Sequence, residues 1–354
     1  MDRTRLRPLA LCVLAAIVAS CSDSTRPNAD PNGVAYSFVV FGCNRVAAGD
    51  TAGDPSTANV NELTQTFKDI AAISPKPNFL FFAGDEILGA TPDSTVLAKQ
   101  LTAWVALYQA SVLPATGIEL VALPGNHETQ SSTKLSYAAA ERNWLKIMAP
   151  YITRGGNGPG AGGPDNLQTD QSHLTYSFDY KDSHFVMLNT DPTGADWHVP
   201  TYWVEGDLAA ARAKGQAHIF VIGHKPGYSY PTIPTDGLGE DPAAQATFWN
   251  VLVANKVEAM FSAHNHVFYR NQPQAGKTWM VIAGNGGSAL EATIDLTIAH
   301  TGSYYGYTVV SVTNAGQVFA KSYGRDVPAA GYTAAVTAAT TMRDSINLTW
   351  GAGS

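Results

Sequence analysis

Five short apolar runs in this chain each close on a glycine or alanine and hand the backbone to a side chain that can bind a metal or move a proton. Phe41-Gly42 leads to Cys43-Asn44-Arg45, and Phe82-Ala83-Gly84 leads to Asp85. Leu123-Pro124-Gly125 leads to Asn126-His127-Glu128, Ile222-Gly223 to His224, and Phe261-Ser262-Ala263 to His264-Asn265-His266. Runs of this length and apolarity read as strands buried on both faces. A glycine at the end lets the backbone turn sharply and approach a ligand. Open α/β sheets bind their ligands at the carboxyl ends of the strands, where these residues fall. One histidine after one strand is most often a satisfied structural group. Five such placements in one chain point to a single site.

Between these runs lie stretches of helical period. Val60, Leu63, Phe67 and Ile70 repeat at helical spacing, and helices are expected at about Ser94 to Ala110, Ala138 to Met148, Tyr202 to Lys214 and Ala243 to Asn255. Further strands are expected at His184 to Leu188 and Trp279 to Ala283, with a terminal hairpin, Tyr307 to Val312 and Gln317 to Tyr323, around Asn314-Ala315-Gly316. Strands alternating with helices define an α/β domain, here one domain over residues 36–325. Gly155 to Pro164 reads as a long surface loop, and the Ala/Thr-rich extension 326–354 receives no element. The formal net charge of −7 and the lack of a Lys/Arg-rich run argue against a nucleic-acid surface.

The amino terminus reads as an address. Arg3, Arg5 and Arg7 precede the apolar run Leu9 to Ala19, far short of the roughly 20 residues needed to cross a bilayer. Val18-Ala19-Ser20-Cys21 resembles a bacterial lipobox, which implies a signal peptide over 1–20, lipidation of Cys21 and a membrane anchor. The alternative is an ordinary signal peptide with an incidental cysteine. Ser22 after the cysteine leans towards the outer membrane of the envelope, and the polar stretch 21–35 reads as a tether. With Cys12 removed and Cys21 acylated, Cys43 is the remaining thiol, and no internal disulfide forms.

One carboxylate, one amide and three imidazoles suit a borderline divalent ion such as Zn, Mn or Fe. Two ions about 3.5–4 Å apart would hold phosphoryl oxygens together with an attacking hydroxide. His127, backed by Glu128, is the candidate to protonate a leaving alkoxide.

Gly84-Asp85, Gly125-Asn126-His127-Glu128, Gly223-His224 and Ala263-His264-Asn265-His266 resemble, in order, the motifs of the calcineurin-like metallophosphoesterases. Trp203-Val204-Glu205-Gly206-Asp207-Leu208 and His266-Val267-Phe268-Tyr269-Arg270 look most like its purple-acid-phosphatase-like branch. The resemblance implies a four-layer α/β/β/α sandwich of two facing mixed sheets flanked by helices. It implies Asp85 as bridging ligand, Asn126, His224 and His264 on one metal, His266 on the other, and His127 as the non-ligand catalytic histidine.

The chain departs from the pattern in its first motif, where the family has an Asp ligand and often a His two residues on. Here those positions hold Cys43 and Arg45, and Leu88 stands where the purple-acid-phosphatase branch has a Tyr. Three readings stay open. Cys43 is a soft metal ligand, or one metal is bound with Arg45 replacing the lost charge and gripping phosphate beside Asn44, or the site binds without turning over. The function expected is metal-dependent hydrolysis of phosphate mono- or diesters in the bacterial envelope. The alternative is a catalytically weakened lipoprotein that binds phospho-ligands. His173, His184 and His218 are read as structural, as His198 and His300 are unless they rim the site. Tyr304-Tyr305-Gly306-Tyr307 either packs or lines a cleft edge, and Gly284-Asn285-Gly286-Gly287 is read as a turn at the site edge.

Overall fold

The computed structural model describes residue 30 and residues 32–47, 60–328 and 336–351. The lipobox with Cys21, the signal segment and most of the tether lie outside the described residues.

Two mixed sheets face each other. The first contains β1 (Val34–Phe41), β2 (Phe79–Phe82), β3 (Glu119–Ala122), β11 (Tyr305–Thr313), β12 (Val318–Arg325) and β13 (Thr341–Asn347), in the order β13-β12-β11-β1-β2-β3. The second contains β4 (Tyr176–Tyr180), β5 (Ser183–Leu188), β6 (His218–Gly223), β7 (Ala259–Ser262), β8 (Phe268–Asn271), β9 (Trp279–Ala283) and β10 (Thr301–Gly302), in the order β10-β8-β9-β7-β6-β5-β4. β1, β2 and β3 run parallel, as do β5, β6, β7 and β9, and antiparallel strands close the flanks. Helices α1 (Val60–Ala71), α2 (Ser94–Ala110), α3 (Asn126–Thr129) and α4 (Ala138–Met148) accompany the first sheet, and α5 (Thr201–Ala213) and α6 (Pro242–Ala254) accompany the second.

The layering follows from alternation along each strand. In β1, Phe38 and Val40 point between the sheets, whereas Val39 and Phe41 point towards α1 and α2. In β6, Phe220 and Ile222 face the first sheet while Ile219 and Val221 face α5 and α6. The middle layer is an aromatic stack in which Phe38 packs edge-on against Phe81, Phe185, Phe220 and Phe261. The result is the expected α/β/β/α sandwich. β4, β8, β10 and β13 are additions to the sequence reading, and β13 places part of the extension beyond residue 325 on the first sheet. No helix among the described residues is long and apolar enough to cross a membrane.

Candidate metal centre

Each sheet contributes to one cluster at the carboxyl ends of its parallel strands. The first sheet supplies Cys43 and Arg45 after β1, Asp85 after β2 and Asn126 at the start of α3. The second supplies His224 after β6 and His264 and His266 after β7. Asp85 is fully buried, and its Oδ1 lies 3.0 Å from His224 Nε2. Asn126 Oδ1 lies 3.0 Å from both His224 Nε2 and His264 Nδ1, and those two nitrogens are 3.2 Å apart. Asp85, His224 and His264 form one group of metal-ligand geometry, and Cys43, Asp85 and His266 form another that shares the same carboxylate.

The outer faces of the imidazoles decide what the inner faces can do. His224 donates from Nδ1 to the Ala83 carbonyl at 2.7 Å, His264 faces Asp236 Oδ1 through Nε2 at 3.1 Å, and His266 donates from Nδ1 to the Ala289 carbonyl at 2.8 Å. Each ring therefore turns its proton outward and its other nitrogen into the cluster, the second-shell arrangement typical of metal-ligating histidines. His266 Nε2 is buried with no hydrogen-bond partner. Lone pairs of Asp85 Oδ1, Asn126 Oδ1, His224 Nε2 and His264 Nδ1 converge, and a bound cation satisfies all four together. These residues fit a divalent metal.

The electrostatics agree. Burial opposes ionisation of Asp85, but His224, His127 and Arg45 hold its carboxyl well below the usual range. Burial keeps His264 and His266 neutral, the second pushed down to about 3 by burial and the Arg45 charge. Burial lowers the His224 pKa, but the charge and hydrogen bond of Asp85 outweigh it and the net shift is upward.

The backbone is shaped for close approach. A Cβ on Gly125 would lie 2.4 Å from Asp85 Oδ1, and one on Gly84, at φ +84°, would lie 2.6 Å from Gly125 N. Cys43, Arg45, Asp85 and His264 all adopt left-handed φ of 59–64°. Non-glycine residues in that region cost energy and cluster at functional sites.

His127 lies at the edge of the cluster, with Nε2 3.9 Å from Asp85 Oδ2. Its ring is oriented through Nδ1 by the Leu88 carbonyl, not by Glu128. Glu128 turns the other way and accepts the backbone N–H groups of Asp85, Gly125 and Ile87, which locks the two ligand loops together. Burial and Asp85 raise its pKa to about 7.

Cys43 is fully buried, and its Sγ accepts the His264 N–H at 3.0 Å, while burial pushes the thiol pKa well up. Arg45 donates from Nε and Nη2 to Asp85 Oδ2 at 3.1 and 3.0 Å. Asn44 is buried, with neither atom of its side-chain amide hydrogen-bonded. The Gly284–Gly287 turn abuts the first motif, where Gly286 N–H donates to the Gly42 carbonyl.

The other histidines take structural partners. His184 sits between Asp179 and Asp207, His218 contacts Glu258, His198 contacts Asp241, and Ser172 Oγ meets His173. Exposed His300 lies beside β10. Tyr304 stacks on Phe268 and Tyr307 on Tyr323, so the tyrosine cluster packs rather than lining a cleft. Asp207 and Arg270, from the branch-like motifs, are tied to His184 and Asp344. Sequence reasoning missed Asp236, which orients His264, and Glu291, which accepts the His266 N–H. It also missed Lys225, buried 2.5 Å from Asp191 with its ammonium 4.6 Å from the Trp197 ring centre. Asp236 and Glu291 lie in loops without periodicity, and only the position of Lys225 beside His224 was visible in sequence.

Two facing sheets with imidazole, amide and carboxylate groups gathered where their strands end define a metal-centred α/β sandwich. Residues 45–268, more than half of the chain, match the family model for calcineurin-like phosphoesterases, and the chain belongs to that family. Among solved structures it is similar to a purple acid phosphatase from yellow lupin (Lupinus luteus) seeds, with TM-score 0.60 and 17% identity over 90% of this chain and 54% of that one. The chain thus spans about half the length of the lupin protein. A weaker likeness, TM-score 0.47 and 14% identity over 87% of this chain and 88% of the other, links it to GAP50, the anchor in the inner membrane complex of Plasmodium. A search of curated protein sequences finds no match.

Proposed function

We propose that this protein hydrolyses phosphate esters, mono- or diesters, with a divalent ion held by Asp85, Asn126, His224 and His264. The observation that carries the reading is the convergence of four lone-pair atoms whose imidazole protons all point outward. A bound Zn, Mn or Fe ion there supplies positive charge for phosphoryl oxygens and acidifies a coordinated water. The chain's own groups do the rest. Glu128 fixes the loops that carry Asp85 and Asn126. The Leu88 carbonyl holds His127 through Nδ1, which leaves Nε2, 3.9 Å from Asp85 Oδ2, as the atom that would pass a proton to the leaving oxygen from the imidazolium form, a form that burial disfavours. Placement in the bacterial envelope, anchored through lipidated Cys21, is supported by Val18-Ala19-Ser20-Cys21 and by Ser22 for the outer membrane. The branch-like motifs around Trp203 and His266 favour the purple-acid-phosphatase type.

The test is hydrolysis of p-nitrophenyl phosphate and its bis-ester by the full-length chain in detergent, after chelation and return of Zn, Mn or Fe. Turnover that needs metal and disappears in Asp85→Asn supports the enzyme, and the preferred ester assigns its type. The second reading, a phospho-ligand-binding lipoprotein, draws on Arg45 lying against Asp85. Phosphate binding without turnover of either ester would favour it.

A further inference from the structure

Two groups of potential ligands share Asp85, but they are not equivalent. On the His224 side the carboxylate oxygen meets imidazole and amide lone pairs. The other oxygen, Oδ2, accepts two N–H bonds from the Arg45 guanidinium at 3.1 and 3.0 Å. This arginine is delivered to its place by the backbone. Cys43 N–H donates to Gly84 O, the N–H groups of Asn44 and Arg45 donate to Asp85 O, and Val46 N–H donates to Glu86 O, at 2.8–3.0 Å. The 43–46 segment is thereby laid against the loop that carries Asp85, and Arg45 holds a left-handed φ of 62° there. Its side chain retains 22% of its exposure, enough to meet a ligand at the mouth. Cys43, in the other group, has its sulfur turned to the His264 amide.

A guanidinium cannot give up its proton to make room for a metal. A dication at the Cys43–Asp85–His266 group would stand against that fixed positive charge and compete with it for Oδ2. We infer that the centre is mononuclear: one divalent ion sits among Asp85, Asn126, His224 and His264, and the Arg45 guanidinium takes the place of a second ion, neutralising Asp85 Oδ2 and gripping a phosphoryl oxygen of the ester. The inference rests on the phosphoesterase reading for its substrate and on geometry alone for its metal count. An arginine brings phosphate a permanent positive charge with several N–H donors, which a thiol and an imidazole do not.

Metal counting tests it. The full-length chain is loaded with excess Zn or Mn, freed of loose ions by gel filtration, and analysed by mass spectrometry of the metal. One ion per chain is expected, unchanged in Cys43→Ser. In Arg45→His, and in Arg45→Gly, which suits the left-handed backbone, the count is expected to rise to two. Inorganic phosphate binding in Arg45→Gly should weaken at least tenfold when the count is held at one by limiting metal. Two ions in the unaltered chain, falling to one in Cys43→Ser, would overturn the inference while leaving phosphoester hydrolysis intact. A count that stays at one in both Arg45 variants would also overturn it, since the arginine would then exclude nothing. One ion without turnover of any ester keeps the mononuclear centre and removes the enzyme reading, so the two fail separately.

Discussion

At the scale of single residues, Asp236 has the most consequence relative to its visibility. It sits half-exposed in the loop after β6, yet its Oδ1 takes the outer nitrogen of His264 at 3.1 Å and its Oδ2 the Asn265 amide at 3.2 Å. Against the pull of burial, His264 holds the Asp236 carboxyl down at about 2, so it is ionised throughout the physiological range. Losing such an orienting partner typically costs 10- to 100-fold in metal affinity. Asp236→Ala is therefore expected to weaken Zn binding by roughly that factor, measured by competition with a chromophoric chelator, while the melting temperature of the metal-free protein moves little. Equal affinity in the variant would mean that His264 is oriented by packing alone. The candidate ligands could be picked out in sequence because each stands shortly after the end of a strand, and a strand fixes the position of the residues that follow it closely. Asp236 could not, because an irregular loop leaves no spacing from which its partner can be read. Arg45 lies between these cases. Its position was visible, but its bond to Asp85 exists only once β1 and β2 pair side by side.

At the scale of elements, the β4–β5 hairpin is fastened to α5 by a buried histidine. His184, on β5, contacts Asp179 Oδ1 of β4 at 2.6 Å and Asp207 Oδ2 of α5 at 2.8 Å, and Lys214 approaches Asp179 at 3.7 Å. Burial lowers the histidine pKa, but the bonds and charges of Asp207 and Asp179 outweigh it, and the net shift is upward. A raised folded pKa gives stability that is fully present below the unfolded value near 6.5 and lost as pH rises through the folded value. Denaturant unfolding of the native chain is expected to lose stability as pH rises through that window, and His184→Gln should flatten the loss. A pH profile unchanged in the variant would show that this triad carries no net stability. The same hairpin explains part of what the sequence hid. β5 reads as a strand because all six residues are buried, whereas β4, Tyr-Ser-Phe-Asp-Tyr, mixes polar and aromatic residues at the sheet edge. β13 is mostly exposed and polar, and its pairing depends on Arg270–Asp344 and on the partner strand β12 rather than on its own pattern. Strands buried on both faces declare themselves in sequence, and edge strands are defined by neighbours.

At the scale of the whole molecule, the centre lies across the seam between the two sheets. Asp85 and Asn126 come from the first sheet, and His224 and His264 from the second, so an ion bound by all four cross-links the halves of the sandwich. Without it, this end of the seam is held among the described residues by contacts such as Gly42 N–H to Ala283 O, His224 Nδ1 to Ala83 O, and His224 Nε2 against Asp85 Oδ1. That last contact is fully buried on both sides. A dication there satisfies the converging lone pairs of Asp85, Asn126, His224 and His264. Because the ligands are brought together only when both sheets have folded, metal affinity is drawn into folding free energy. Free metal at 100 times its dissociation constant is expected to stabilise the protein by about 2.7 kcal/mol. In a chain of this size that corresponds to a rise in melting temperature of roughly 4 °C. Calorimetry with and without chelator measures it. His224→Ala, which removes the second sheet's deepest ligand, should abolish the metal-dependent part. If melting were indifferent to metal in the native chain, no ion would be binding the folded chain in preference to the unfolded one, and the four-ligand site across the seam would be overturned.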